Sequence, residues 1–312
     1  MAGYRAATPE QAAFLTDLVE AGLLVDTGVP GLYGQGRGFD SVREGLTAAI
    51  ARAAAPDGAE PLRFPPLFSR FQLEKNGYLG SFPHLAGSVF SFAGTESEAL
   101  EQESIASRHE DWSRFQTMTE VVVLPAACYP VYPEIAKRGP LGPNGVTIDT
   151  GASWVFRNEA SGDPARMQNF HMYEFVRIAA PDVVAAFRND WHERTLGLFE
   201  RLGLDASSEV ASDPFFGRVG RMLAANQVEQ ELKFEIVALV GGPEPTAIAS
   251  FNYHEDHFTS IYGIAHADGR TAHTGCVAFG IDRLAVALFW THGLDVRQWP
   301  AQAREALMLE NT

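Results

Sequence analysis

Phe156-Arg157-Asn158-Glu159, followed by a polar loop carrying Arg166 and Met167 and then by Phe170, is the stretch on which the fold turns. Arg157 and Glu159 stand two apart, so on a strand they share a face. The guanidinium offers a planar fork to a phosphate, and the carboxylate accepts from an exocyclic amine. Alone, the pair reads more simply as a surface ion pair between strands. A second cluster, Gly280-Ile281-Asp282-Arg283-Leu284, opens the apolar helix Ala285–Phe289. A helix N-terminus attracts phosphate, and an Arg there adds charge. Alone, it too reads as an ordinary helix start with a capping Asp. Found in this order in one chain, the two clusters mean more than either does alone.

Around them the periodicity predicts strands at Val121–Leu124, Val146–Ile148, Ser153–Arg157, Phe170–Ile178, Phe234–Val240 and Thr246–Tyr253, with a break at Gly151. Helices are expected over 9–25, 40–55, 95–115, 181–203, 280–292 and 300–308, the first with Thr8 as N-cap and Pro9 at its first position. Strands crowd the second half and are joined by hairpin-length turns. This favours an α+β fold, an antiparallel sheet flanked by helices. Neither GxGxxG after a strand nor a GK[ST] phosphate loop occurs, so the common nucleotide folds are not indicated. With 312 residues and no evident linker, residues 1–312 read as a single catalytic domain.

The formal net charge of −15 argues against a polyphosphate partner such as tRNA, whose affinity rests on Lys and Arg. No apolar run approaches the roughly 18 residues of a membrane span, and the N-terminus lacks a signal core. A cytoplasmic protein is expected. Only two cysteines occur, Cys128 and Cys276, far apart in sequence. Such a pair in a cytosolic chain is rarely a disulfide, and two buried apolar thiols are the plain alternative. With Glu174 they form a candidate zinc set: two thiolates and a carboxylate leave a fourth position open, as in reactive rather than structural sites. No tight spacing links the three. His171 and His273 flank these ligands and read either as groups supporting them or as satisfied core histidines. His254-Glu255-Asp256-His257 is a rival metal sequence that lacks a helical frame and reads as a polar loop.

The order F-R-x-E, a loop with a further Arg, then G-Φ-D-R at a late apolar helix resembles motifs 2 and 3 of class II aminoacyl-tRNA synthetases, especially the seryl branch. The resemblance implies a class II catalytic domain that binds a bent ATP. By that likeness Arg157 holds the α-phosphate, Glu159 the adenine amine and Arg283 the γ-phosphate, with Arg166 and Met167 in the ATP-binding loop. Archaeal-type seryl enzymes carry a similar Cys, Glu, Cys zinc set. A narrower resemblance covers about residues 9 to 305. Ala249-Ser250-Phe251-Asn252-Tyr253-His254, Ala272-His273-Thr274-Gly275-Cys276 and the chain length look like the amino acid:carrier protein ligases. These are seryl-core homologues without a tRNA-binding arm.

This likeness implies ATP with Mg2+, and a Zn2+ that grips the amine of a small amino acid such as glycine or alanine. An aminoacyl adenylate would form, then pass to the phosphopantetheine thiol of a carrier protein. Glu174, Ser250 and Asn252 become substrate-binding residues, and motif 1 implies a homodimer built from the helix at 40–55 and the strand near Pro65-Pro66. The segment 181–225 is expected as a partly helical insertion contacting the carrier protein, with Arg188, Arg194 and Arg201 offering positive charge. There are departures. Motif 3 glycines five and seven residues before the Arg are replaced by Ala278 and Cys276. Thr246–Asn252 holds no acid where the seryl enzymes place a Glu, so Glu235 is the remaining candidate for the magnesium side, or else a solvent-facing residue. Another acceptor, tRNA-like or a small metabolite, is the alternative enzyme reading. A non-catalytic paralogue serving as a binding subunit would be marked by loss of Arg157 or Arg283, and both are present.

Overall fold

A computed structural model describes residues 6–159, 161–266 and 268–309. The elements run α1 (Pro9–Glu20), β1 (Leu24–Asp26), β2 (Tyr33–Gln35), α2 (Arg37–Ala54), β3 (Glu60–Pro61), β4 (Leu67–Ser69), α3 (Arg70–Lys75) and α4 (Tyr78–Ser81). Then come β5 (Ser88–Phe92), α5 (Glu96–Ala106), β6 (Gln116–Val123), α6 (Val131–Ala136), β7 (Val146–Phe156), β8 (Asn169–Ala179), α7 (Pro181–Arg201) and β9 (Ala206–Val210). The chain closes with α8 (Gly217–Glu229), β10 (Lys233–Leu239), β11 (Pro245–Tyr253), α9 (His257–Tyr262), β12 (His273–Gly280), α10 (Ile281–His292) and α11 (Ala301–Leu307).

Seven strands form the main sheet in the order β3-β7-β8-β12-β11-β10-β9. All its pairings are antiparallel except β3 with β7. Alternation along the strands gives it two different faces. Phe175, Val277, Phe279, Phe251 and Ile236 point to one face and pack with residues of α2, α7 and α10. The other face carries Val176 and Cys276 against α6 and α9, and it holds the polar residues described below. A separate three-stranded sheet, β4-β6-β5, lies beside it.

Local signals explain most boundaries. Thr8 and Gln11 form a reciprocal capping box at the start of α1. That helix ends at Glu20 rather than near 25 because Gly22 adopts φ +68 and Leu23 N donates back to Leu18 O, a left-handed stop. The two strands expected around Gly151 are one strand, β7. Its register slips between Asp149 and Ala152, and Gly151 at φ +65 supplies the bulge. The helix expected over 95–115 stops at Ala106, and His109 turns the chain with positive φ. Strand β6 accordingly begins at Gln116, five residues before the expected Val121.

Segment 181–225 divides into two unlike parts. Helix α7 buries Val184, Trp191, Leu198 and Phe199 against the sheet, with Trp191 stacked on Phe175 at 4.8 Å. It is a layer of the core, and Arg194 is tied to Asp57 at 3.0 Å and to Ala53 O. Strand β9 is the edge of the main sheet, and α8 is the exposed part. In α8 just one residue, Gly220, is buried, while Val219 and Met222 are 70% and 68% exposed.

Candidate active site

The polar face of the sheet forms the floor of a cavity of about 470 Å³, within the usual range for small-ligand sites. Arg157, Glu159, Arg166, Met167, Glu174, Ser250, Asn252, Cys128, Cys276 and Arg283 all line it. The sequence had scattered them over 156 positions, and strand register gathers them. Glu174 pairs with Ala278, Ala278 with Ser250, and Ser250 with Glu235. The next row runs from Cys276 to Asn252 to Lys233. The two rows thus run side by side, the first across four strands and the second across three.

At one end stand the arginines. Arg283 donates from Nε to Ala165 O and from Nη1 to Ala247 O, each at 2.7 Å. Helix α10 fixes its Cα, since every residue from Leu284 to Phe289 is buried. Burial, then the nearby Arg166, pushes its pKa down to about 10, so it stays a cation at neutral pH. Arg157 donates from Nε to Pro125 O at 3.2 Å and lies over the Phe170 ring. Arg166 pairs with Glu159 at 3.3 Å and Asp163 at 3.6 Å. Three guanidiniums around one cavity are suited to a polyanion.

At the other end Cys128, Glu174 and Cys276, all buried, bring one ligand atom each within 4.8 Å of one another. Among the described residues no other group of three His, Cys, Asp or Glu does so. Ala127 N donates to Glu174 Oε1 at 2.9 Å, while Oε2 is buried without a hydrogen bond. Cys276 sits well below the ordinary thiol range, because Cys128 hydrogen-bonds to it and His254 lies beside it, Nε2 at 3.3 Å from Sγ. Cys128 is pushed well up by that same hydrogen bond and by burial. Burial and the charge on Cys276 raise Glu174 to about 8. Three buried acids thus sit close enough to oppose one another's ionisation. A divalent cation would let all three ionise together, and two sulfurs with one oxygen suit zinc. The orphaned Oε2 fits that role.

The flanking histidines are not part of this group. His171 and His273 lie an odd number of residues from Glu174 and Cys276 and so point to the opposite face. His171 Nδ1 meets Asp282 at 3.1 Å, and His273 Nδ1 meets Tyr253 Oη at 2.5 Å. Side chains, not backbone, satisfy both rings. His254, which reads from sequence as one member of a polar loop, is the histidine at the cysteine pair, and Asn252 Nδ2 reaches the same sulfur at 3.5 Å. Sequence reasoning also missed Lys233 and Asp213. The alternation Lys233-Phe234-Glu235 puts Lys233 on the same face as Glu235 and could have revealed it. Glu235 does not face solvent: it lines the cavity and pairs with Lys233 at 2.8 Å.

No family model matches the chain. The crystal structure of M. kandleri SerRS in complex with A. aeolicus tRNASec superposes with a TM-score of 0.81 at 22% identity, over 96% of this chain and 60% of that one. The fold is therefore that of a class II aminoacyl-tRNA synthetase catalytic domain. Amino acid:acyl-carrier-protein ligase 1 of Bradyrhizobium diazoefficiens is 46% identical over 304 residues, 97% of this chain and 93% of that one. Ligase 2 of the same organism is 45% identical over 306 residues, 98% and 91% of the two chains. The chain belongs to the amino acid:acyl-carrier-protein ligase family and is an enzyme of that ligase class.

Proposed function

We propose that the protein activates a small amino acid, glycine or alanine, with ATP and passes it to the phosphopantetheine thiol of a carrier protein. One observation carries this reading: a single cavity holds three arginines at one end and the buried Cys128, Glu174, Cys276 group at the other. The relatives' names add the carrier protein as acceptor.

In this reading Arg157 and Arg283 hold the α- and γ-phosphates of Mg2+-bound ATP, with Arg166 and Met167 beside the triphosphate tail and Glu159 at the adenine amine. The substrate carboxylate attacks the α-phosphorus, the bond to the β-phosphate oxygen breaks, and pyrophosphate leaves. The carrier thiol sulfur then attacks the acyl carbon, AMP departs, and the thiol proton goes to water. No side-chain nucleophile is required, because positioning and charge neutralisation lower the barrier. A zinc ion held by Cys128, Glu174 and Cys276 would supply a Lewis-acid seat for the substrate's neutral amine. Ser250 and Asn252 form the floor beneath the amino acid.

For the carrier contact we favour α8 over the arginines of α7. Arg194 is already paired, whereas α8 exposes Val219, Met222 and Leu223 next to Arg218 and Arg221. The loop before α8 reaches the cavity through Asp213 and Pro214. A homodimer is part of the same reading, supported by exposed Leu67, Phe71 and Phe90 on and near the small sheet. Sedimentation giving only the 34.0 kDa monomer would contradict it. The test of the chemistry is ATP–pyrophosphate exchange with each of the twenty amino acids, followed by mass spectrometry of a holo-carrier protein. Exchange with glycine or alanine is expected, and exchange with none sinks the proposal.

A further inference from the structure

The row Cys276–Asn252–Lys233 crosses the cavity floor from the cysteine pair towards the edge of the sheet. Nothing in the adenylation chemistry uses its far end. There Lys233 is buried, its ammonium 2.7 Å from Asp213 and 2.8 Å from Glu235. Gln227 of α8 fixes Asp213, accepting from its N–H at 2.7 Å and donating to Oδ2 at 3.0 Å. All three charged side chains line the same cavity as the cysteine pair. Two of the three N–H donors of the Lys233 ammonium are taken by carboxylates whose charge outweighs its own. The group is a rigid block, because separating buried charges is costly.

We propose that Lys233, Asp213 and Glu235 form the end wall of the substrate's side-chain pocket and decide which amino acids are activated. Neighbouring strands lie about 4.8 Å apart, so Lys233 stands two strand steps from Cys276, with Asn252 filling the step between. A hydrogen or methyl side chain on an amino acid seated at the cysteine pair stops short of this wall. A branched aliphatic side chain would press apolar carbon onto an ion group and take its hydration without replacing it. An acidic side chain would meet an excess of carboxylate. The inference rests on the adenylation reading and names the residues that set its substrate range.

The experiment measures kcat/KM in ATP–pyrophosphate exchange for glycine, alanine, 2-aminobutyrate and valine. It uses the wild type, Lys233→Ala, and the triple variant Lys233→Ala, Asp213→Asn, Glu235→Gln. The triple variant leaves no unpaired buried charge, so it stays foldable where the single one fails; circular dichroism and metal content verify both. The readout is the ratio of valine or 2-aminobutyrate to glycine within one sample, which cancels any loss of active fraction. That ratio is expected to rise about 10- to 100-fold, the range that one or two methylenes command in a pocket. A folded triple variant with an unchanged ratio overturns the proposal while leaving adenylation standing. A wild type that exchanges with no amino acid overturns adenylation, and this inference with it.

Discussion

Glu174 and Ala127 are joined by a single hydrogen bond, N–H to Oε1 at 2.9 Å, that makes the two carboxylate oxygens unequal. One is occupied by the loop that delivers Cys128. The other is buried and unpartnered. The loop and strand β8 thereby hold a cysteine and a carboxylate oxygen in fixed relation before any cation arrives.

Cys276→Ala and Glu174→Gln are each expected to abolish zinc retention while leaving the fold intact. Elemental analysis of purified wild type should give about one zinc per chain, as three ligands with an open position require. Unchanged zinc in either variant refutes the ligand assignment. Chelation of the wild type should lower its melting temperature by on the order of 5 °C. Binding at a thousandfold excess over Kd stabilises by about 4 kcal/mol, and at about 2 cal/mol/K of unfolding entropy per residue each kcal/mol moves the midpoint of a 312-residue chain by about 1.5 °C.

Arg283→Ala is expected to reduce pyrophosphate exchange by about 100- to 1,000-fold, the cost typical of losing one preorganised donor to developing charge. Arg283→Lys should not restore it. The guanidinium spans Ala165 O and Ala247 O together, and an ammonium cannot copy that fork. Recovery of exchange by the lysine variant would show that charge alone matters there.

Asp282 is fully buried and accepts from Gln35 Nε2 at 2.8 Å, from His171 N at 2.6 Å, and meets the His171 ring. Asp282→Ala would strand a buried backbone N–H and a side-chain amide, at about 1–3 kcal/mol each. Urea unfolding should show a loss of roughly 2–5 kcal/mol. A variant as stable as wild type would mean that water replaces the carboxylate.

The Asp213–Lys233 pair predicts an acid dependence. Burial raises the Asp213 carboxyl, but Lys233 and Gln227 outweigh it and leave it below the ordinary aspartate range. A depressed carboxyl stabilises the fold above its unfolded pKa, and that contribution is lost as pH falls through the folded value. The pair should thus act fully from about pH 4 upward and fade below. Asp213→Asn should flatten the acid limb of a stability-versus-pH curve. An acid limb identical to wild type would remove Asp213 from the account.

That Arg157 and Arg283 belong together was legible because each sits in a short local pattern, F-R-x-E or G-Φ-D-R, and both line the cavity. Strands β7, β8, β10 and β11 of the main sheet were legible as apolar or alternating runs, whereas the central β12, which carries Cys276, and the edge strand β9 were not among the expected strands. The proposed metal group was only half legible: Cys128, Glu174 and Cys276 share no spacing, and strand register and one loop hydrogen bond bring the three side chains together. Lys233 was missed because its role depends on Asp213, twenty residues away and on no regular element. Helix α8 was blurred with α7 because its apolar residues face outward, so they carry no core signal of their own.

The two rows on the sheet floor have a consequence for descent. The residues assigned to phosphate and amine sit on β8 and β12, near the centre of the sheet, on the loops beside them and at the start of α10. The wall at Lys233 sits on β10, next to the edge strand. On the proposal that Lys233 closes the substrate pocket, substitutions at that margin diversify the menu of accepted amino acids across related chains and leave the phosphate and amine residues untouched, so divergence in diet need not bring divergence in chemistry.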